Sequence, residues 1–79
     1  MTTALAVDLG SASGRVIAGT LVDGRVDIVE VHRFTHQANR VDGELVWDVD
    51  TMLGEVVAGL HAAVERFPDA MSVSIDTWC

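Results

Sequence analysis

The sequence predicts an α/β fold in which a three-stranded antiparallel meander is followed by one helix and a further parallel strand. Two apolar runs flank a glycine-rich turn, and an Asp-Gly pair then joins the second run to a third. A helical apolar pattern and a last β-branched run come after them. The chain has 79 residues, 49% of them hydrophobic, which allows one small domain with a modest core.

The first three strands follow from short apolar runs and the turns between them. Ala4 to Asp8 is a nearly continuous apolar run that Gly10 ends, as expected for a buried strand. Arg15 to Leu21 is a second run, rich in Val, Ile and Thr. Asp23-Gly24 predicts a tight hairpin turn, because this pair tolerates positive φ. Arg25 to Phe34 is then the returning strand, on the strength of its β-branched residues.

The chain after the third strand begins with a polar segment. Thr35 to Glu44 is expected to be a loop or a small hairpin whose far arm is Leu45 to Trp47. Ser72 to Asp76 is expected to be a strand reached by a helical crossover, and therefore parallel to a neighbour. The run continues to Cys79 like a strand that enters a functional loop, which suggests the N-terminal piece of a longer protein.

One amphipathic helix is expected between these segments. Asp50 is its expected N-cap, and Pro68 ends it. Gly54 and Gly59 each lower its helix propensity by about 1 kcal/mol relative to Ala, so packing on the sheet must hold it. The apolar stripe expected to face the sheet consists of Leu53, Val56, Val57, Leu60, Val64 and Phe67.

The net charge of −7 limits the partners of the chain. An acidic surface repels phosphate backbones, which disfavours nonspecific nucleic-acid binding. No apolar run approaches the length of a membrane span, no secretion signal opens the chain, and the single Cys79 cannot form an internal disulfide. We therefore expect a soluble cytoplasmic protein with no nucleic-acid partner and no membrane partner.

The segment between the first two strands carries the chemistry. Asp8 ends a strand and could bind a hydrated Mg²⁺ through water. Gly10 and Gly14 allow a tight turn in which the amides and hydroxyls of residues 11–13 converge on phosphate as a nest. Arg15 adds a forked cation that matches phosphate. The set favours a nucleotide with magnesium, although a purely structural turn is an alternative, and the Rossmann and Walker patterns are not present.

Placed on a β-hairpin, Asp8 to Arg15 resembles the actin-like ATPase superfamily, which has a ribonuclease-H-like fold, and within it the FGGY carbohydrate kinases. His32 to Phe34, Trp47 to Asp50 and Ser74 to Trp78 resemble the members of that family that convert L-rhamnulose to L-rhamnulose 1-phosphate. The resemblance implies that residues 1–79 are the N-terminal part of the first kinase domain, without the rest of that domain or the second domain.

The resemblance also implies roles for individual residues, with ATP and Mg²⁺ as cofactors and a ketose as substrate. Asp8 corresponds to the carboxylate that binds the metal through water. The general base is expected downstream of Cys79, so no catalytic residue is expected here and the isolated chain is expected to lack kinase activity. Cys79 stands where the family has a glycine, and a backbone contact to the sugar would survive this change. The implied ATP-binding run is Ser11, Ala12, Ser13, Gly14 and Arg15, and the implied sugar-side residues are Asp76, Trp78 and Cys79.

Other interpretations remain open at the level of sequence. Asp76 could simply cap its strand, and Trp78 could equally be core packing. The full protein could be another FGGY kinase, acting on xylulose, fuculose or glycerol, or a non-catalytic actin-like protein that binds nucleotide. A stand-alone binding module is a third class, disfavoured by an exposed sheet edge. The three histidines lack the spacing of zinc sites.

Overall fold

A computed structural model describes residues 2–78. The α/β class is confirmed: a meander comes first, and a small hairpin, one helix and a parallel strand follow it. The first two strands each begin two residues before the run expected from the sequence and end one residue after it. The elements in chain order are β1 (Thr2–Leu9), β2 (Ser13–Val22), β3 (Arg25–Thr35), β4 (Ala38–Val41), β5 (Glu44–Trp47), α1 (Val49–Arg66) and β6 (Ser72–Thr77).

The main sheet has four strands in the order β3-β2-β1-β6. The strands β1, β2 and β3 pair in antiparallel fashion, and β6 lies parallel to β1, as expected for a strand that follows a helical crossover. Asp23 and Gly24 connect β2 to β3 with φ of 51° and 74°, which confirms the predicted turn. The register shifts between Val16 and Ile17, whose partners are His32 and Glu30. This bulge leaves Val31 of β3 without a partner on β2.

The polar segment after β3 forms a hairpin. The strands β4 and β5 pair with each other as a separate two-stranded sheet. Asp42 and Gly43 make its turn with φ of 51° and 84°. Of the two expectations for this segment, the hairpin is therefore the one that holds.

The helix begins after Asp48, so the expected N-cap Asp50 is wrong. The Thr51 N–H donates to Asp48 Oδ1 at 3.0 Å, and the Thr51 hydroxyl donates to Asp48 Oδ2 at 2.7 Å. Asp50 lies inside the first turn instead. Asp48 is the N-cap because Thr51, three positions later, provides both a backbone N–H and a hydroxyl as hydrogen-bond donors.

The face of α1 that packs on the sheet also differs from the expected stripe. The buried helix residues are Met52, Val56, Gly59 and Ala63. Leu53, Val57 and Val64 are exposed. A β-carbon at Gly59 would lie 2.5 Å from Val16 Cγ2, so the small residues allow the helix to approach the sheet closely. Close backbone approach, rather than the largest apolar side chains, sets the rotation of the helix.

The core lies between α1 and one face of the main sheet. Its sheet residues are Leu5, Val7, Val16, Ala18 and Phe34, and they pack with two helix residues, Val56 and Ala63. Because side chains alternate along a strand, the residues between them point to the opposite face. No helix in the described part of the chain is both long and apolar enough to cross a membrane.

Candidate functional site

A row of charged residues crosses the main sheet near the end of β1. Asp8 lies opposite Arg15 on β2 and opposite Asp76 on β6. Arg15 in turn lies opposite Arg33 on β3. Paired residues share a face of the sheet, and the neighbouring Val7 is buried in the core. The row therefore lies on the face of the sheet away from α1, and it holds three of the sequence-predicted site residues.

Within this row, Asp8 and Arg15 form an ion pair. Arg15 Nη2 donates to Asp8 Oδ2 at 2.6 Å, and each side chain is 40% exposed. The hydrogen bond to Asp8, and then its charge, raises the pKa of Arg15, so this guanidinium stays charged. An ion pair exposed to this extent contributes little to stability, because water and salt screen it. Its charges remain accessible to a ligand.

The turn between β1 and β2 is closed by one backbone hydrogen bond and has no left-handed residue. The Gly10 N–H donates to the Ser13 carbonyl at 2.8 Å, and Ser11 and Ala12 are exposed at the tip. No residue from 10 to 14 has a positive φ. The expected nest, in its alternating right- and left-handed form, is therefore not present, and the loop instead offers two exposed peptide groups at the end of a hairpin.

Gly14 has a packing role that the sequence did not reveal. It lies on β2 opposite Phe34 of β3. A β-carbon on Gly14 would lie 2.3 Å from Phe34 Cζ. The Phe34 ring, which is 8% exposed, fills the space above Gly14. Glycine is required here by the ring above it, independently of any contact with phosphate.

His36 contacts the turn through both its backbone and its ring, and the sequence predicted no role for it. The backbone N–H of His36 donates to the Ala12 carbonyl at 3.0 Å. Its ring Nε2 lies 2.8 Å from the Gly10 carbonyl oxygen. Its ring also stacks on Trp78, with centroids 5.5 Å apart. No local signal marks His36 in the sequence, because these contacts join residues far apart in the chain.

The remaining candidate residues are placed as follows. Trp78 is partly buried and forms an aromatic cluster with His36 and Trp47. Asp76 is exposed beside Asp8, and Cys79 lies outside the described residues. Residues 2–78 contain no group of three side chains that could hold a metal ion. The two carboxylates of Asp8 and Asp76 fit a Mg²⁺ that keeps most of its water ligands.

Known proteins resemble this chain in both sequence and fold. No family model matches the chain. Several curated relatives are named rhamnulokinase: that of Oceanobacillus iheyensis is 42% identical over 74 residues, and that of Bacillus subtilis is 38% identical over 73 residues. A rhamnulokinase of Klebsiella pneumoniae is 42% identical over 76 residues. These matches cover 92–94% of this chain but only 15–16% of the relatives.

A solved structure supports the fold independently. The crystal structure of the Aquifex aeolicus member of the Ppx/GppA protein family matches with a TM-score of 0.69 and 20% sequence identity. The match covers 96% of this chain and 26% of that chain. This likeness shows the ribonuclease-H-like fold that the sequence resemblance implied. By sequence, the chain is similar to the rhamnulokinases and spans about 16% of their length.

Proposed function

We propose that this chain forms one wall of the MgATP and sugar site of an FGGY-type kinase that converts L-rhamnulose to L-rhamnulose 1-phosphate. The observation that carries the proposal is the row in which Arg15, Asp8 and Asp76 lie side by side beneath the exposed turn. The named relatives supply the sugar and the reaction type. Residues 1–79 would then be the N-terminal part of the first kinase domain of a cytoplasmic protein.

The phosphate side of the proposed site consists of Asp8 and the run Ser11, Ala12, Ser13, Gly14 and Arg15. Arg15 would exchange Asp8 for phosphate oxygens, because a guanidinium binds phosphate in the same forked geometry as a carboxylate. Asp8 would then be free to hold Mg²⁺ through water. Phosphoryl transfer depends mainly on positioning and charge stabilisation, and a cation with a nearby metal-binding carboxylate serves both.

The sugar side of the proposed site consists of Asp76, Trp78 and Cys79. Asp76 would accept hydrogen bonds from sugar hydroxyls next to the metal-binding Asp8. Trp78 would form part of the wall, while Cys79 would contribute its backbone. The family resemblance implies a general base downstream of Cys79, so we expect the 79-residue chain alone to produce no ADP in response to sugar.

The test uses a full-length hybrid in which this chain replaces the 73 matching residues of the Bacillus subtilis rhamnulokinase. ADP production is measured with L-rhamnulose, L-fuculose, D-xylulose and glycerol, for the hybrid and for the chain alone. We expect the hybrid to prefer L-rhamnulose and the chain alone to be inactive. A hybrid that prefers another sugar would contradict the proposed substrate. Nucleotide binding without phosphorylation of any sugar would instead favour a non-catalytic actin-like protein.

A further inference from the structure

The imidazole of His36 holds the carbonyl of the first residue of the turn. Its Nε2 lies 2.8 Å from the Gly10 carbonyl oxygen. A carbonyl oxygen can only accept a hydrogen bond, so Nε2 must carry the proton. The other ring nitrogen, Nδ1, is buried and has no partner among residues 2–78. The ring therefore acts on the turn as a donor, through one nitrogen.

This bond changes the hydrogen-bonding pattern of the turn. In a turn of four residues, the carbonyl of the first commonly accepts from the N–H of the fourth, which here would join Gly10 to Ser13. The Gly10 N–H does donate to the Ser13 carbonyl, at 2.8 Å, but the Gly10 carbonyl bonds His36 instead. The Ser13 N–H is thus left without the usual acceptor of such a turn.

The same bond orients the Ser11 N–H. In a trans peptide the carbonyl and the following N–H point in opposite directions, and no peptide bond in the described chain is cis. With the Gly10 carbonyl directed at His36, the Ser11 N–H points away from His36. Ser11 is exposed. Among the described residues, neither the Ser11 N–H nor the Ser13 N–H has a backbone acceptor in this turn.

The imidazole ring is fixed by two tryptophans from other elements. Trp78, which follows β6, stacks on it at 29°, and Trp47 of β5 meets its edge at 71°, both with centroids 5.5 Å away. The two tryptophans contact each other with centroids 5.2 Å apart. These contacts restrict the rotation of the ring and so aim Nε2 at Gly10. They also join the turn to Trp78, on the proposed sugar side.

We propose that His36 is a positioning residue that keeps the turn open for phosphate. It does so by withdrawing the Gly10 carbonyl from the Ser13 N–H. This inference rests on the proposed MgATP site and adds a residue outside the ATP-binding run. His36 touches neither phosphate nor metal in this role. It acts only through the orientation of two peptide groups.

Two substitutions in the full-length hybrid separate the donor of His36 from its ring. His36→Phe keeps an aromatic ring for stacking and removes the donor. We expect it to raise the KM for MgATP about tenfold, the effect of losing one ordinary hydrogen bond, with the KM for L-rhamnulose unchanged. His36→Gln supplies an amide donor without the ring, and we expect the KM for MgATP to stay within about threefold of the unsubstituted hybrid. Without the stack on Trp78, its KM for L-rhamnulose should rise.

The control is His61→Phe, because His61 is an exposed histidine on α1. It should change neither KM. If His36→Phe leaves the KM for MgATP unchanged, the positioning role is wrong. The role is also wrong if both His36 variants alter both KM values to the same extent, which is what a merely structural role would give.

A measurement without kinase activity separates this inference from the proposed function. In NMR spectra of the 79-residue chain, long-range ¹H–¹⁵N correlations should show the His36 proton on Nε2, and the Ser13 amide should exchange rapidly with solvent. In His36→Phe the turn can close, so the Ser13 amide should exchange more slowly. A proton on Nδ1, or Ser13 exchange that does not slow in the variant, overturns the inference. An inactive hybrid with these NMR results intact would overturn only the proposed function.

Discussion

Gly59 on α1 faces Val16 on β2 so closely that a β-carbon at Gly59 would lie 2.5 Å from Val16 Cγ2. The same β-carbon would lie 3.1 Å from the Cβ of His32. Val16 is fully buried, so a shift of its side chain would have to displace other core residues. The helix rests on the sheet at this point, and its position depends on the absence of a side chain.

Gly59→Ala is therefore expected to destabilise the chain. The gain in helix propensity is about 1 kcal/mol. Overpacking a filled core costs about 1–3 kcal/mol, and the clash with Val16 should place this site at the upper end, for a net loss. Urea denaturation of the chain measures the difference.

Gly54→Ala is the matched control, because a β-carbon there meets nothing within 4 Å. It should stabilise the chain by up to about 1 kcal/mol through helix propensity alone. If the two substitutions have the same effect, the close contact between Gly59 and Val16 is not what determines the packing of α1.

Gly14→Ala should destabilise the chain through its contact with Phe34, by about 1–3 kcal/mol. A double-mutant cycle with Phe34→Leu tests the cause, because a smaller side chain leaves room for the added methyl group. We expect Gly14→Ala to cost less in the Phe34→Leu background. Equal costs in both backgrounds would show that the ring is not the reason for glycine at this position.

Asp8→Asn should impair the proposed kinase without unfolding the chain. Loss of a carboxylate that holds metal through water should lower kcat/KM of the full-length hybrid by between about tenfold and about a hundredfold. The melting temperature of the chain should change little, because the ion pair with Arg15 is exposed. Asp27→Asn removes the partner of another exposed arginine, Arg25, and is the control for activity. A large fall in melting temperature for Asp8→Asn would point to a structural role instead.

The N-cap Asp48 should make the stability of α1 sensitive to acid. The hydrogen bonds from the Thr51 hydroxyl and the Thr51 N–H lower the pKa of Asp48 below its usual value of 3.8. A carboxyl group whose pKa is lower in the folded state stabilises the fold above its usual pKa. That contribution disappears as the pH falls through the folded-state pKa. Helix content measured by circular dichroism should therefore fall in this acidic range.

Asp48→Asn should remove this part of the acid sensitivity, because asparagine still caps the helix but does not titrate. Asp50→Asn should keep it, since Asp50 lies in the first turn and does not cap the helix. If the acid profile follows Asp50 rather than Asp48, the assigned cap is wrong.

Several elements of the fold could be predicted because local chemistry decides them. Asp23-Gly24 forms a turn wherever two apolar β runs flank it, since few residues adopt its positive φ at low cost. The parallel direction of β6 follows from the helical crossover before it. The pairing of Asp8 with Arg15 follows from a short turn between two strands, whose length sets the register. The turn and the hairpin pairing depend on residues close in the chain, and the direction of β6 depends on the helix just before it.

The rotation of α1 and its first residue could not be predicted in this way. Leu53 and Val57 are better core residues than Gly59 by hydrophobicity, yet they are exposed while Gly59 is buried. Which face of α1 is buried depends on the shape of the sheet at Val16. The sequence of the helix contains no information about that shape. Asp50 was the expected cap, and the hydrogen bonds of Thr51 show that Asp48 is the cap instead.

The amino-acid sequence alone is enough to predict the α/β class, the strand order of the meander and the residues that carry charge at the end of β1. These follow from local preferences and from the alternation of side chains along strands. The three-dimensional contacts were needed to show which face of α1 is buried, why residue 14 is glycine, and that His36 holds the turn. Each of these depends on residues distant in the chain meeting at a few ångströms, and such contacts are settled by shape and hydrogen-bond direction rather than by residue type.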